Sequence, residues 1–251
     1  MSKSATISNS LEDHKIVKAN FTYSAAKVAD LDEIATEFTL VTLVNDVSSS
    51  VQPYKVQMEE TIQKIVEACQ FSPRKDNLLF RFLQFSSSVS QTHGFKPLDN
   101  CKVDDYNDCL QVGGSTALFD ATKNAIMATH DYATKLANQR FQVNGIVVVI
   151  TDGCDNVSSC NASDVKAVLA QTIKDESLES IISILIGVGI EDQNTSQRLA
   201  DFYKEGGLTQ YVEQKNADTN TLKKLANFVS KSISAQSQAL GTGSASVPLK
   251  F

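Results

Sequence analysis

From Phe38 to Ile233, short apolar runs alternate with stretches whose apolar residues return every three or four positions. Phe38-Thr-Leu-Val-Thr-Leu-Val44 is β-branched and apolar, the pattern of a buried strand. A Ser-rich turn and Pro53 follow. Proline suits a first helical turn, and Met58, Ile62, Ile65, Val66 and Cys69 share one face, so 53–70 reads as an amphipathic helix. Leu79–Phe85 predicts a second strand, Ser86–Ser88 a turn, and Val89–Thr92 a shorter strand. Residues 97–112 are irregular, with one short helix near 104–110. Gly113-Gly114 marks a loop, and Ser115 or Thr116 can cap the next helix. That helix has Leu118, Ala121, Ala125, Ala128, Tyr132 and Leu136 on one side and ends near Asn138.

Val143–Ile150 is nearly all apolar, as expected for a central parallel strand covered on both faces. A polar loop, 151–162, leads to a helix from about Ser163 with Val165, Val168, Leu169 and Thr172 inward, and Ile181–Val188 is another buried strand. Asn194 opens a further helix with Gln197 as capping-box partner, and Gly206-Gly207 ends it. A short strand near 210–213 precedes a last helix over about 218–235, with Leu222, Leu225, Val229 and Ile233 on one stripe. Residues 1–37 are polar and weakly patterned, with a short strand at Lys15–Val17 and a short helix at Val28–Ile34. The expected organisation is an N-terminal extension (1–37), weakly structured or packed on the domain, one domain (38–235), and a mobile Ser/Gly-rich tail (236–251). Strands alternating with amphipathic helices indicate an α/β fold with a doubly wound, mostly parallel open sheet. Such sheets place their sites at the C-terminal ends of strands, which directs attention to loops 46–52 and 151–162.

Composition narrows the function classes. The 251 residues carry 23 Lys+Arg against 29 Asp+Glu, a net charge of −6, without a clustered basic run. Nucleic acid is therefore not expected as a partner. No window approaches about 18 consecutive apolar residues, so no membrane span is expected. Met1–Ser10 lacks the apolar stretch of a secretory signal, and the expectation is a soluble, cytoplasmic protein. In that compartment Cys69, Cys101, Cys109, Cys154 and Cys160 are reduced thiols, although Cys101/Cys109 and Cys154/Cys160 are spaced to close short loops. His14, His93 and His130 have no ligand spacing and read as surface or loop residues. Gly187-Val-Gly189 follows a strand but lacks the third glycine of a dinucleotide-binding turn, since Asp192 stands there.

The chemistry gathers elsewhere. The first strand ends in Asp46-Val-Ser48-Ser-Ser50, the long apolar strand in Thr151-Asp152-Gly153, and Gly113-Gly-Ser-Thr116-Ala lies just before a helix. Two carboxylates and three hydroxyls, with no His or Cys, form an all-oxygen set of the kind that hard cations prefer. Asp155-Asn156 reads as loop support, and Asp120 as a hydrogen-bonding residue near its helix start. These three segments resemble the metal-ion-dependent adhesion site of von Willebrand factor A domains, and the resemblance extends over roughly residues 38–235. It implies a doubly wound sheet with one short antiparallel edge strand, for which Val89–Thr92 is the natural candidate. It also implies that Ser48, Ser50 and Thr116 bind the cation directly, while Asp46 and Asp152 act through water or as switching ligands. Two positions depart from the family pattern: Asn45 precedes Asp46 where an apolar residue is more frequent, and Ser49 stands where Gly is frequent.

The resulting expectation is a non-enzymatic, cation-dependent protein-binding module, an adaptor or scaffold. It holds Mg²⁺ or Mn²⁺, with Ca²⁺ also admitted by the oxygen set, and the carboxylate of a partner Asp or Glu completes the coordination. Two other readings use the same residues. One is a Mg²⁺-dependent hydrolase or phosphoryl-transfer enzyme with Asp46 as nucleophile or metal ligand. The other is an assembly component whose metal only stabilises the loops. Oligomeric state has no signature in the sequence.

Overall fold

The computed structural model describes residues 11–31 and 35–251. Its elements in chain order are β1 (Leu11–Ile16), β2 (Phe21–Ala26), β3 (Glu37–Asp46), α1 (Lys55–Gln70), β4 (Leu78–Phe85), β5 (Val89–Pro97), α2 (Leu118–Asn138), β6 (Gln142–Thr151), α3 (Ala162–Lys174), β7 (Ser180–Val188), α4 (Gln193–Glu205), β8 (Gln210–Gln214) and α5 (Thr219–Thr242). One eight-stranded sheet runs in the order β1-β2-β5-β4-β3-β6-β7-β8. The ladders β4–β3–β6–β7–β8 are parallel, whereas β4/β5 and β1/β2 are antiparallel. This is the doubly wound α/β sheet expected from the alternation of strands and helices.

Every position of β3 and β4 is buried, which explains why their sequences read as near-continuous apolar runs. Alternate residues face opposite layers. Val41, Leu43, Phe80, Phe82, Ile146 and Ile184 meet Ile62, Ile65 and Val66 of α1 and Leu225, Val229 and Ile233 of α5. Val44, Leu83, Val147, Val149 and Leu185 meet Leu118 and Ala125 of α2, Val165 of α3 and Leu199 of α4. The switch in strand order falls between β3 and β6, whose C-terminal ends carry Asp46 and Asp152.

Several boundaries differ from the sequence expectation. The strand at Val89 extends to Pro97 and runs antiparallel to β4, but it is interior, because β2 pairs along its other side. The short strand expected at Lys15–Val17 is β1, which ends at Ile16. Of the helix expected over Val28–Ile34, Val28–Asp30 form a 3₁₀ turn, while residues 32–34 lie outside the described residues, as does Met1–Ser10. The 104–110 stretch is a 3₁₀ turn at Val103–Tyr106. The last helix continues to Thr242, and beyond it the Gln210 Nε2 donates to the Leu249 carbonyl (2.9 Å) while Phe251 meets Phe228 edge to face. His93 is not a surface or loop residue: it lies on β5 against Phe80, Phe82 and Tyr106, with Nε2 2.8 Å from the Tyr106 hydroxyl.

Candidate functional site

Asp46 is the last residue of the buried strand β3 and has no accessible surface. Its Oδ1 accepts the Ser48 N–H (2.7 Å), which bends the chain into a tight Asx turn. Its Oδ2 accepts the Thr151 hydroxyl (2.6 Å) from the end of β6. The Ser48 and Ser50 hydroxyls lie 3.1 Å apart, and Ser50 donates to Asp152 Oδ1 (2.9 Å). Four of the five residues singled out in the sequence, Asp46, Ser48, Ser50 and Asp152, are thus joined by one hydrogen-bonded chain across the ends of β3 and β6. Thr151, which the sequence reading passed over, ties the two strand ends together. Its signal is a hydroxyl terminating an otherwise apolar strand.

The loop that carries Thr116 is tied to the Asp46–Ser50 segment through its glycines. Val47 O accepts the Gly113 N–H (2.7 Å), and Gly114 O accepts both the N–H and the hydroxyl of Ser49 (3.0 and 3.1 Å). The serine at 49, where the family favours glycine, therefore adds a bond to the neighbouring loop. Gly114 has φ +86°, and a Cβ there would lie 2.7 Å from Ser87 Oγ, so glycine is required. Thr116 itself is 5% exposed. Its N–H donates to Asn156 Oδ1 (2.8 Å) and its carbonyl accepts the Asn156 N–H (3.0 Å).

Neither Ser115 nor Thr116 caps the following helix. The cap position of α2 is Ala117, without a side-chain hydrogen bond. Its first-turn N–H groups are taken instead from loop 151–162: Phe119 N–H by Asp155 Oδ2 (3.0 Å) and Asp120 N–H by Ser158 Oγ (3.0 Å). In return, Asp120 accepts the N–H groups of Ser159 and Cys160. Similarly, the N-cap of α4 is Asp192, which accepts from Asn194 and Thr195 N–H, rather than Asn194.

Burial pushes the Asp46 carboxyl up to about 6, in spite of the opposing hydrogen bonds from Thr151 and Ser48, and the nearby Asp152 charge adds to the rise. Burial likewise raises Asp152, against the bond from Ser50. Among the described residues neither carboxylate has a Lys, Arg or His in ion-pair contact. Two desolvated carboxylates without a cationic partner, beside hydroxyl oxygens only, make a donor set that suits a hard divalent cation. No group of three His, Cys, Asp or Glu side chains is placed to hold a metal ion among the described residues. A cation here would have to draw on hydroxyl oxygens and water as well as the two carboxylates. All five cysteines are free thiols, including Cys154 and Cys160 of the site loop.

The model of the von Willebrand factor type A domain matches residues 41–229, well over half of the chain. No curated protein sequence matches. Among solved structures, the fold is similar to the D319A mutant of the PilB minor pilin from Streptococcus sanguinis, with 16% identity and a TM-score of 0.58, covering 85% of this chain and 65% of that one. It is similar to the pilus adhesin SpaC from Lactobacillus rhamnosus GG in an open conformation, with 10% identity and a TM-score of 0.58, covering 85% and 31%. It is also similar to proximal thread matrix protein 1 from the mussel byssus with a zinc occupied MIDAS motif, with 20% identity and a TM-score of 0.50, covering 78% and 46%. At these identities the likeness is one of fold, and the chain spans less than two thirds of each of these proteins. Together with the observed sheet order, the model match over 41–229 establishes that the chain belongs to the von Willebrand factor type A domain family.

Proposed function

We propose that the chain is a divalent-cation-dependent protein-binding module, an adaptor or scaffold rather than an enzyme. Ser48, Ser50 and Thr116 bind one Mg²⁺ or Mn²⁺ directly, with Ca²⁺ as a further cation that the oxygen set admits, and Asp46 and Asp152 support it as ligands or through water. When bound, the ion supplies a charged centre with a coordination position for the Asp or Glu carboxylate of a partner protein. The observation that carries this reading is the fully buried Asp46, linked through Ser48 and Ser50 to Asp152, with no Lys, Arg or His among the described residues in ion-pair contact with either acid. The all-oxygen set, without His or Cys, supports a bound hard cation. The pilin, the pilus adhesin and the zinc-occupied byssus protein that share the fold are consistent with it.

The test is calorimetric titration of the chelated protein with Mg²⁺ and Mn²⁺. It is followed by affinity capture from a lysate in Mg²⁺ or in EDTA, with mass spectrometry of what is lost. Cation binding by the wild type, and captured proteins that disappear both in EDTA and with Asp152→Ala at unchanged Tm, are expected. A capture profile indifferent to both chelator and substitution would overturn the proposal.

A further inference from the structure

We infer that Asn156 is a positioning residue for the metal site, setting Thr116 in place by clamping its backbone from the loop that carries Asp152. This rests on the metal-site reading above.

Thr116 is the one predicted ligand outside the hydrogen-bonded chain of Asp46, Ser48, Ser50 and Asp152. It comes from a separate loop, so something must fix its distance from the other two. Both of its backbone polar groups are engaged, and both by the same residue: its N–H by Asn156 Oδ1 at 2.8 Å and its carbonyl by Asn156 N–H at 3.0 Å. The residues on either side are held from the turn between β4 and β5, Ser115 N–H by Ser87 Oγ (2.9 Å) and Ala117 N–H by Ser86 O (2.7 Å). Asn156 itself cannot drift, because its neighbour Asp155 accepts the Phe119 N–H of α2 and the Ser158 N–H, and the Asp155 carbonyl accepts from Arg198 Nη2 (2.8 Å). Asp152 and Thr116 are therefore parts of one hydrogen-bonded body, in which a side-chain amide four residues after Asp152 sets the second loop. Outer partners that hold a ligand in this way typically contribute 10–100-fold in metal affinity.

Asn156 is exposed, so its side chain can be shortened without opening the core. Asn156→Ala removes the acceptor for Thr116 N–H and leaves the net charge unchanged. Titrated with Mn²⁺ alone, this variant is expected to bind about tenfold more weakly than wild type, with Tm nearly unchanged and faster amide exchange at Thr116. In a Thr116→Ala background the same substitution is expected to add no further loss, because its influence passes through the Thr116 hydroxyl. Asn156→Ser, which also falls short of the Thr116 amide, should reproduce the effect. Wild-type affinity in Asn156→Ala, or an equal loss with and without Thr116, would overturn the inference while leaving the metal site standing. A wild-type protein that takes up no Mn²⁺ would instead overturn the metal-site reading, and this inference with it.

Discussion

Replacing Asp46 by asparagine is expected to stabilise the metal-free protein while weakening its response to divalent cations. The carboxylate has no accessible surface, and burial lifts its pKa from 3.8 to about 6. A group whose folded pKa lies above its unfolded value holds extra protons in the folded state between the two values. Stability therefore falls as pH rises from about 4 to about 6 and stays lowered above that. A shift of about two units corresponds to about 3 kcal/mol. The amide of Asp46→Asn keeps an acceptor for the Ser48 N–H and offers a donor to Thr151 Oγ1, whose own proton can turn to the Gly153 carbonyl at 2.9 Å. In EDTA at pH 7.5 the variant should melt roughly 6–12 °C higher. Scanning calorimetry of both proteins from pH 4.5 to 8 reads the difference between them. The two should approach each other toward pH 4 and separate through pH 6, and Mn²⁺ should raise the wild type more than the variant. A variant no more stable than wild type in EDTA at pH 7.5, or a difference independent of pH, would refute the claim that this buried charge lacks its counter-ion.

Two further perturbations test the frame around the site. Gly94→Ala should destabilise the protein by more than about 2 kcal/mol, because a Cβ on β5 would stand 1.9 Å from the Ser24 carbonyl of β2. Guanidinium unfolding measures the loss, and limited proteolysis should show the β1–β2 hairpin released first; wild-type stability would contradict the observed β2–β5 pairing. His93 titrates in the opposite sense to Asp46. Burial lowers it to about 4, so the unfolded chain takes up a proton below about 6.5 that the folded one refuses, and stability is lost as pH falls from 6.5 toward 4. His93→Gln should shrink the stability difference between pH 7.5 and 4.5 by about 2 kcal/mol, and an unchanged difference would place the imidazole in water.

How much could be read in advance depended on whether the stabilising partner was near in sequence. The strands β3, β4, β6 and β7 are covered on both faces, so their burial is written as continuous apolar runs, and Asp46 at the end of β3 and Asp152 just after β6 stand out against them. The hairpin β1–β2 was nearly invisible, because β1 is charged and half solvated and β2 is rich in small residues. What attaches it is remote. The buried Arg81 guanidinium lies 5.7 Å from the Tyr23 ring and 5.8 Å from the Phe95 ring, and it donates to Gln91, whose amide in turn donates to Ser24. A lone arginine in an apolar strand carries no periodic signal that would announce such a role.

The helix starts show the same limit, with a consequence for the site. Ser115 and Thr116 look like caps because capping is the commonest local use of a hydroxyl before a helix. In α2 that need is met across the fold by Asp155 and Ser158, and the true cap position is an alanine. Capping therefore does not account for the hydroxyl at 116. A threonine that is 5% exposed, with both backbone groups fixed by the loop that carries Asp152, has a side chain no longer needed by its own helix. Ser50 raises the parallel question from the other side, since its hydroxyl is spent on Ser48 and Asp152 rather than on the 3₁₀ turn it sits in. Thr116→Val separates the two accounts of that hydroxyl. It keeps the shape and the Asn156 clamp, so stability in EDTA should change by less than about 1 kcal/mol, while Mn²⁺ affinity should fall at least tenfold. A loss of stability in EDTA with Mn²⁺ affinity intact would return Thr116 to a purely structural role.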